Sequence, residues 1–337
     1  MEFCAGLCDL DWEVRARRLS PEFWPWLYFR NPAGDAVAII AFHGGRPVGR
    51  FERIPVRVTV DGKIETADLL EGLTLAPEFR KWSHLRRMLA MAFRDEPVEK
   101  PLFSFGFATA AATRLHSSLG QPVLGRVSVF SAALDGVRMW RGRGVPASVS
   151  ALAGSLSGAL IKWKAQPPGG QIEVRETGDF TSDLDELTSA LTGPTAIGLR
   201  KDPAYLNWRY VQRPGASYRR LIARKDQQPA GMLVWCPEEV SGDGYILELA
   251  ARNGDPVTLD ALLDTAREQM RSAGVGLVTA SFPRAAAAAQ ALLRAGFVSW
   301  ATRWKNMSLI VTPREHGRRT ELSMTDWNYS LGDWLYH

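Results

Sequence analysis

Three cysteines and five histidines in 337 residues leave the chain little material for metal or redox chemistry. Cys4 and Cys8 lack the spacing of a metal-ligating pair, and with Cys236 the odd number offers no disulfide framework. A reducing compartment suits them, so the expected location is cytoplasmic. The histidines, His43, His84, His116, His316 and His337, form no metal-spaced set, and no metal is expected. A G-x-S-x-G elbow and a G-x-x-x-x-G-K-[ST] loop are both missing, which argues against serine hydrolysis and nucleotide hydrolysis. No charged-then-apolar signal segment opens the chain. The most apolar stretch outside the expected strands, 145–163, is broken by Ser and Gly and runs into Lys162 and Lys164. It is too short and too polar to span a bilayer, reads as an amphipathic linker helix, and no membrane partner is expected. Charge of one sign is not concentrated either: 41 Lys and Arg stand against 36 Asp and Glu, for a net +5, with no long basic run. Nucleic acid is therefore not an expected partner, whereas an anionic donor or an acyl-carrier protein needs only a local patch.

What is present is an ordinary globular composition, 46% hydrophobic and 23% charged, with twelve tryptophans that suit core filling. The length favours two domains of about 150 residues each. Internal repetition supports that division. Phe23, Trp26, Tyr28, Pro32, Pro47 and Gly49 recur as Tyr205, Trp208, Tyr210, Pro214, Pro229 and Gly231, every pair separated by 182 residues without a gap. A W-x-Y-x-x-x-P helix end, a strand, a Pro/Gly turn and a second strand thus occur twice in one register.

Periodicity and punctuation predict helix 21–31, strands 36–42, 47–60 and 63–75, helix 83–94, strand 102–108, helix 110–119 and strands 123–134 for the first copy. The second copy reads as strand 171–176, helices 183–191 and 202–212, strands 218–225, 230–236 and 244–251, helix 256–273, strand 275–282, helix 285–295 and two final strands through 312. The fold class is α/β in the sense of α+β mixed sheets: two tandem domains, each a mixed, mostly antiparallel sheet flanked by helices. Expected boundaries are 1–140 for the first domain, 141–170 for a partly helical linker, 171–317 for the second domain and 318–337 for an aromatic tail packing back on the domains. Strand 171–176 has no counterpart in the first copy, which leaves that sheet an open edge. The tail from Leu322 to Tyr336 is one candidate to fill it; a locally packed tail is the other.

The run Leu70-Glu71-Gly72-Leu73-Thr74-Leu75-Ala76-Pro77-Glu78-Phe79-Arg80 resembles the fourth strand and donor loop of the GCN5-related N-acetyltransferases (GNAT), typically I-E-x-L-x-V-x-P-x-x-R. Leu115-His116-Ser117-Ser118-Leu119-Gly120 looks like that family's L-Y-x-x-x-G-F helix ending, and Ala291-Leu292-Leu293-Arg294-Ala295-Gly296-Phe297 matches it again. The order of elements in both copies is also that of the family, and bacterial tandem GNAT proteins share the W-x-Y helices and aromatic tails. The family's loop after the fourth strand reads R/Q-x-x-G-x-G/A, so that backbone N–H groups can approach the CoA pyrophosphate. Here it reads Arg80-Lys81-Trp82-Ser83-His84-Leu85, with neither glycine.

The resemblance implies acyl transfer from a thioester to an amine. It places Glu71 as general base and His116, where the family has Tyr, as proton donor to the departing thiolate. It gives the backbone of Leu73, Thr74 and Leu75 to the thioester, with the N–H near Leu75 polarising the carbonyl. Arg80, Lys81, Trp82, Ser83, His84 and Leu85 would form the donor loop. The bland readings are a paired strand Glu at Glu71 and a packed histidine at His116. In the second copy Glu248 occupies the place of Glu71, but Arg252-Asn253-Gly254-Asp255-Pro256 is too short and acidic for a donor loop, which predicts a scaffold or acceptor-binding role. The expected co-substrate is acyl-CoA or a phosphopantetheine-linked acyl donor on a carrier protein, and the expected acceptor an amine of a small metabolite, sugar or peptide. The alternatives are a catalytically degenerate pair acting as a binding or scaffold module, and a transferase using aminoacyl-tRNA, as the similar Fem-type proteins do.

Overall fold

The computed structural model describes residues 2–15, 19–94, 101–146, 149–151, 153–154, 162–164, 172–185, 187–188, 197–238, 241–299, 307–313 and 322–335. Most of the expected linker, the end of helix 183–191, His316 and His337 lie outside these residues. The chain forms two compact units. The first comprises Met1–Arg126, Gln212–Ala216 and Asn306–Asp326; the second comprises Val127–Val211, Ser217–Lys305 and Trp327–His337.

In the first unit, helices α1 (Glu2–Arg15) and α2 (Phe23–Phe29) precede strands β1 (Val37–His43), β2 (Arg46–Val60) and β3 (Lys63–Leu75). Helix α3 (Trp82–Ala92), strand β4 (Phe103–Ala108), helix α4 (Ala110–Ser118) and strand β5 (Val123–Arg126) follow. The meander β1-β2-β3 is antiparallel, and β4 joins β3 in parallel through the α3 crossover. The far side of β4 is taken by β13 (Ser308–Pro313), a strand nearly two hundred residues later, which lies antiparallel between β4 and β5. Phe51, Leu70, Leu75, Met88, Leu89, Leu115 and Ile310 form one core on a single face of this sheet, under α3 and α4.

The second unit begins with β6 (Val129–Ala133) and α5 (Gly136–Arg141), continues through β7 (Glu173–Glu176), β8 (Ile197–Leu199) and α6 (Pro203–Tyr210), and then repeats the meander as β9 (Arg219–Lys225), β10 (Gln228–Glu238) and β11 (Asp243–Ala251). Helix α7 (Pro256–Ser272), strand β12 (Leu277–Ser281) and helix α8 (Ala287–Arg294) complete the repeat. Its sheet runs β6-β12-β11-β10-β9-β7. Each unit therefore takes one strand from the part of the chain that otherwise builds the other. Sequence patterning predicts 123–134 as a local pair; instead β5 stays in the first sheet and β6 pairs antiparallel with β12 in the second. The tail contributes β14 (Trp327–Asn328), which pairs in parallel with β8, and β1 pairs with β2.

The repeated residues have physical reasons. Trp26 and Trp208 are fully buried, each anchoring its helix to its sheet. Gly49 and Gly231 sit where the following crossover helix presses on the sheet. A Cβ at Gly49 would meet the Leu75 side chain at 2.4 Å and Met88 at 3.4 Å, and at Gly231 it would meet Thr258 at 2.7 Å and Leu262 at 3.0 Å. The glycine lets α3 or α7 settle one methyl radius deeper.

Candidate functional site

Glu71 and the Leu73–Leu75 run lie where β3 parts from β4. The parallel ladder holds at Asp68↔Ser104 and Leu69↔Phe105, and Gly106 presses against the Leu70 carbonyl, 2.7 Å from where a Cβ would stand. Beyond that point β3 continues to Leu75 while β4 ends at Ala108, with no further rung among the described residues. A bulge opens β3 at the same level. Arg50 pairs with Thr74 and Glu52 with Glu71, so β3 spends one residue more than β2, and Gly72 absorbs it with φ +70°. That left-handed conformation suits glycine, and its missing Cβ makes room for the Glu52 carboxylate, whose Oε2 would lie 1.5 Å from a side chain there. The bulge re-aims Leu73, Thr74 and Leu75, the three residues expected against a thioester.

Glu71 is half-buried on β3, directly across from Glu52. The two carboxylates share a face, and like charges in that arrangement repel unless one is compensated. Glu52 is compensated within the unit. Arg50 Nη1 donates to its Oε1 at 2.7 Å and Tyr28 Oη at 3.1 Å, while Arg50 Nη2 bridges to Asp11 of α1 at 2.7 Å and the guanidinium lies 4.7 Å over Trp24. Asp11, Arg50 and Glu52 are fully buried. The tyrosine of the repeated W-x-Y motif is thus part of the ion cluster that supports the strand opposite Glu71. Sequence reasoning missed Glu52, Arg50 and Asp11; the shared register of Tyr28 and Tyr210 was the one signal pointing there.

Past Leu75 the chain makes a 3-10 turn, Pro77–Phe79, and enters α3. Arg80 does not extend freely, because its Nε donates to the Leu75 carbonyl at 2.9 Å, and His84 Nδ1 pairs with the Phe79 carbonyl at 3.0 Å. Lys81 is the N-cap but supplies no side-chain acceptor, and among the described residues the N–H groups of Trp82 and Ser83 have no hydrogen-bond acceptor. The helix terminus is open to an anion or a carbonyl oxygen. It is not shaped for a pyrophosphate. Lys81, Trp82, Ser83 and His84 all project exposed side chains around it, and Leu85, where the family has Gly or Ala, packs into the Leu70/Leu75/Met88 core.

His116 sits near the end of α4, 2% exposed, with Nδ1 hydrogen-bonded to Gln121 Oε1. Burial lowers its pKa below the ordinary histidine value, against the opposing pull of the Gln121 bond. Its ring is neutral at neutral pH, Nδ1 being the donor to the amide oxygen and Nε2 carrying the lone pair.

No family model and no curated protein matches the sequence. Solved structures do. A probable N-acyltransferase from Enterococcus faecalis aligns over 93% of this chain and 69% of its own, with TM-score 0.55 and 12% identity. A GCN5-related N-acetyltransferase from Anabaena variabilis aligns over 92% and 70%, with TM-score 0.59 and 10% identity. N-myristoyltransferase of Saccharomyces cerevisiae, solved with bound myristoyl-CoA, aligns over 88% and 74%, with TM-score 0.60 and 12% identity. The fold is the GNAT fold. At these identities the likeness speaks for the architecture, and chemistry has to be argued from the residues.

The second GNAT-like unit repeats the parallel ladder, with its bulge just before the strand glutamate where the first has it just after, and a different filling. Its β11–β12 ladder spans Gly244↔Val278 to Ile246↔Ala280, and the bulge falls between Val234 and Trp235 on β10 against Ile246 and Glu248 on β11. Glu248 is not free to act on a ligand. It accepts from Tyr210 Oη at 2.7 Å and Lys201 Nζ at 2.7 Å, and Lys201 also reaches Asp333 at 2.8 Å and Ser330 Oγ at 2.7 Å in the tail. Burial raises the Glu248 pKa, with Lys201 opposing; the pull of Asp333 and Glu248 outweighs burial at Lys201 and raises its pKa. Gly332 lies over the pair, a Cβ there falling 2.1 Å from Tyr210 Oη and 2.4 Å from Glu248 Oε1. The N-terminus of α7 is closed too, since the Asp255 carboxylate caps it through Thr258 N at 3.1 Å. Where the helix end of the first unit has no side-chain cap, the second has a capped end and a carboxylate held by Tyr210 and Lys201. Among the described residues no group of His, Cys, Asp and Glu is arranged to hold a metal, and no helix is long and apolar enough to cross a membrane.

Proposed function

We propose that the chain is an N-acyltransferase whose first unit carries the reaction, moving an acyl group from a thioester to an amine of a small metabolite, sugar or peptide. The observation that carries this reading is the β3–β4 splay with its Gly72 bulge, which sets Glu71 beside an open strand edge and next to the uncapped end of α3. An extended thioester arm can pair with the edge at Leu73 to Leu75, as a strand would. Its carbonyl then meets backbone N–H groups fixed by the sheet, a preorganised stabiliser of the tetrahedral oxyanion.

The protons balance as follows. Glu71 takes one proton from the incoming ammonium, directly or through a water, and frees the nitrogen lone pair. Nitrogen attacks the carbonyl carbon, the C–S bond breaks, and the second nitrogen proton passes to the departing sulfur, so the products are amide and thiol. His116 serves that second transfer. Its lowered pKa makes the protonated ring scarce at rest but a strong acid once formed, which suits a group that receives the proton from the amine and hands it to the thiolate. The second unit is a scaffold, its carboxylate and helix end already satisfied by the chain.

Calorimetric titration with acetyl-CoA, a long-chain acyl-CoA and a phosphopantetheine thioester tests the reading. Binding of at least one is expected. Absence of heat with all three would favour a degenerate scaffold pair.

A further inference from the structure

Helix α3 carries charge of one sign only. From Arg80 to Arg94 the chain has Arg80, Lys81, Arg86, Arg87 and Arg94, with His84, and no Asp or Glu. All six are exposed. At 100° per residue, Trp82, Ser83, Arg86, Arg87, Ala90 and Met91 form the outward face, while Leu85, Met88, Leu89 and Ala92 face the core. Among the described residues none of Lys81, Arg86, Arg87 and Arg94 has an ion-pair partner, and Arg80 spends one bond on the Leu75 carbonyl. Trp82 and Met91, each 46% exposed, stand at the two ends of this face. Exposed cations with no ion-pair partner among the described residues, along a face of roughly 16 Å with an aromatic and a thioether at its margins, are the composition of a protein-docking surface.

We infer that the acyl donor comes to the first unit on an acidic phosphopantetheine carrier protein, docked by its anionic surface on the α3 face, with the arm running past the helix end to the β3–β4 splay. The inference rests on the acyltransfer reading and names the donor for that same site. Two observations favour a carrier over free CoA. The loop at the α3 terminus has bulky residues where a pyrophosphate needs bare backbone, and Arg86 and Arg87 stand on the outward face, beyond the helix end itself. An RNA partner fits less well in a chain of net charge +5.

The test uses the full-length protein, three donors and one variant. Acyl-pantetheine, which has neither nucleotide nor protein, reports the chemistry alone. Acyl-CoA and an acyl-phosphopantetheinyl carrier protein of a type II fatty-acid synthase report recognition. Arg86→Glu/Arg87→Glu changes the outward face without touching the residues placed at the thioester. The expected result is a kcat/KM for the carrier at least about tenfold above that for acyl-CoA, falling about tenfold or more in the variant and with added salt, while acyl-pantetheine turnover stays unchanged. Equal or better use of acyl-CoA, or a variant that keeps full activity with the carrier, would overturn the inference and leave the acyltransfer reading intact. So would tRNA binding that the variant abolishes while carrier turnover is unaffected. Failure of all three donors would remove the acyltransfer reading itself.

Discussion

At the scale of single residues, the site depends on a glycine that only a bulge explains. Gly72 combines φ +70° with a carboxylate oxygen where its Cβ would be, so Gly72→Ala meets both backbone strain and a clash with a fully buried, ion-paired Glu52. The expected cost is about 2–4 kcal/mol, read from urea unfolding, with loss of thioester binding even where the protein remains folded. Glu71→Gln keeps the shape and removes the base; kcat is expected to fall about a hundredfold at unchanged unfolding midpoint. His116 links the site to pH. Its folded pKa is depressed below the unfolded value, so the unfolded chain binds the extra proton, and the resulting stability is present above pH 6.5 and is lost as pH falls below it. Unfolding midpoints measured between pH 7.5 and 5 should drop for the wild type and flatten for His116→Gln. Glu71 was legible because it stands in an extended motif with Leu70, Gly72 and Pro77. Glu52 was not, since a lone strand glutamate looks the same in sequence whether it faces solvent or an internal arginine.

At the scale of elements, the same helix end serves opposite purposes in the two copies. Tyr28 and Tyr210 occupy equivalent positions, yet one donates to Glu52 on β2 and the other to Glu248 on β11. In the second unit the tail completes the arrangement: Arg209 donates to the carbonyls of Gly332 and Trp334, Lys201 bonds Ser330 and Asp333, and Ser330 and Asp333 cap each other's turn. Lys201→Met leaves two buried carboxylates without their cation. It should cost about 3–5 kcal/mol by chemical denaturation, more than the exposed pair Arg175–Glu173, whose removal should lie within about 1 kcal/mol. Helices and strands with clear periodicity, such as α7 and the β9-β10-β11 meander, were predicted within two residues. The three-residue β8, the two-residue β14 and helix α1 were not, because segments so short, or with charges interleaved as in α1, carry little period and gain their structure from partners far along the chain.

At the scale of the whole molecule, the two units share one chain unequally. The first sheet has β13 inserted between β4 and β5, and the second begins on β6. A fragment ending at Arg126 would therefore lack the strand that joins β4 to β5, leaving Phe103–Ala108 with an unpaired edge. Expressed alone, residues 1–126 should show neither a cooperative thermal transition nor a monodisperse profile, whereas the full chain should show both; a stably folded fragment would mean that the exchange is dispensable.

The division between what the chain encodes locally and what it encodes only in three dimensions follows from range. The 182-residue repeat, the strand and helix periods and the motif around Glu71 can be read along the sequence, so the GNAT architecture was legible there. Which strand closes which sheet and which carboxylate meets which cation depend on residues brought together only by packing, from Arg50 and Asp11, 39 positions apart, to Lys201 and Asp333. Lys201 and Asp333, or Phe105 and Val311, have no sequence relation until packing places them side by side. Tertiary structure alone therefore decided that the tail ties down the glutamate of the second unit through Lys201, while the α3 end of the first has no side-chain cap.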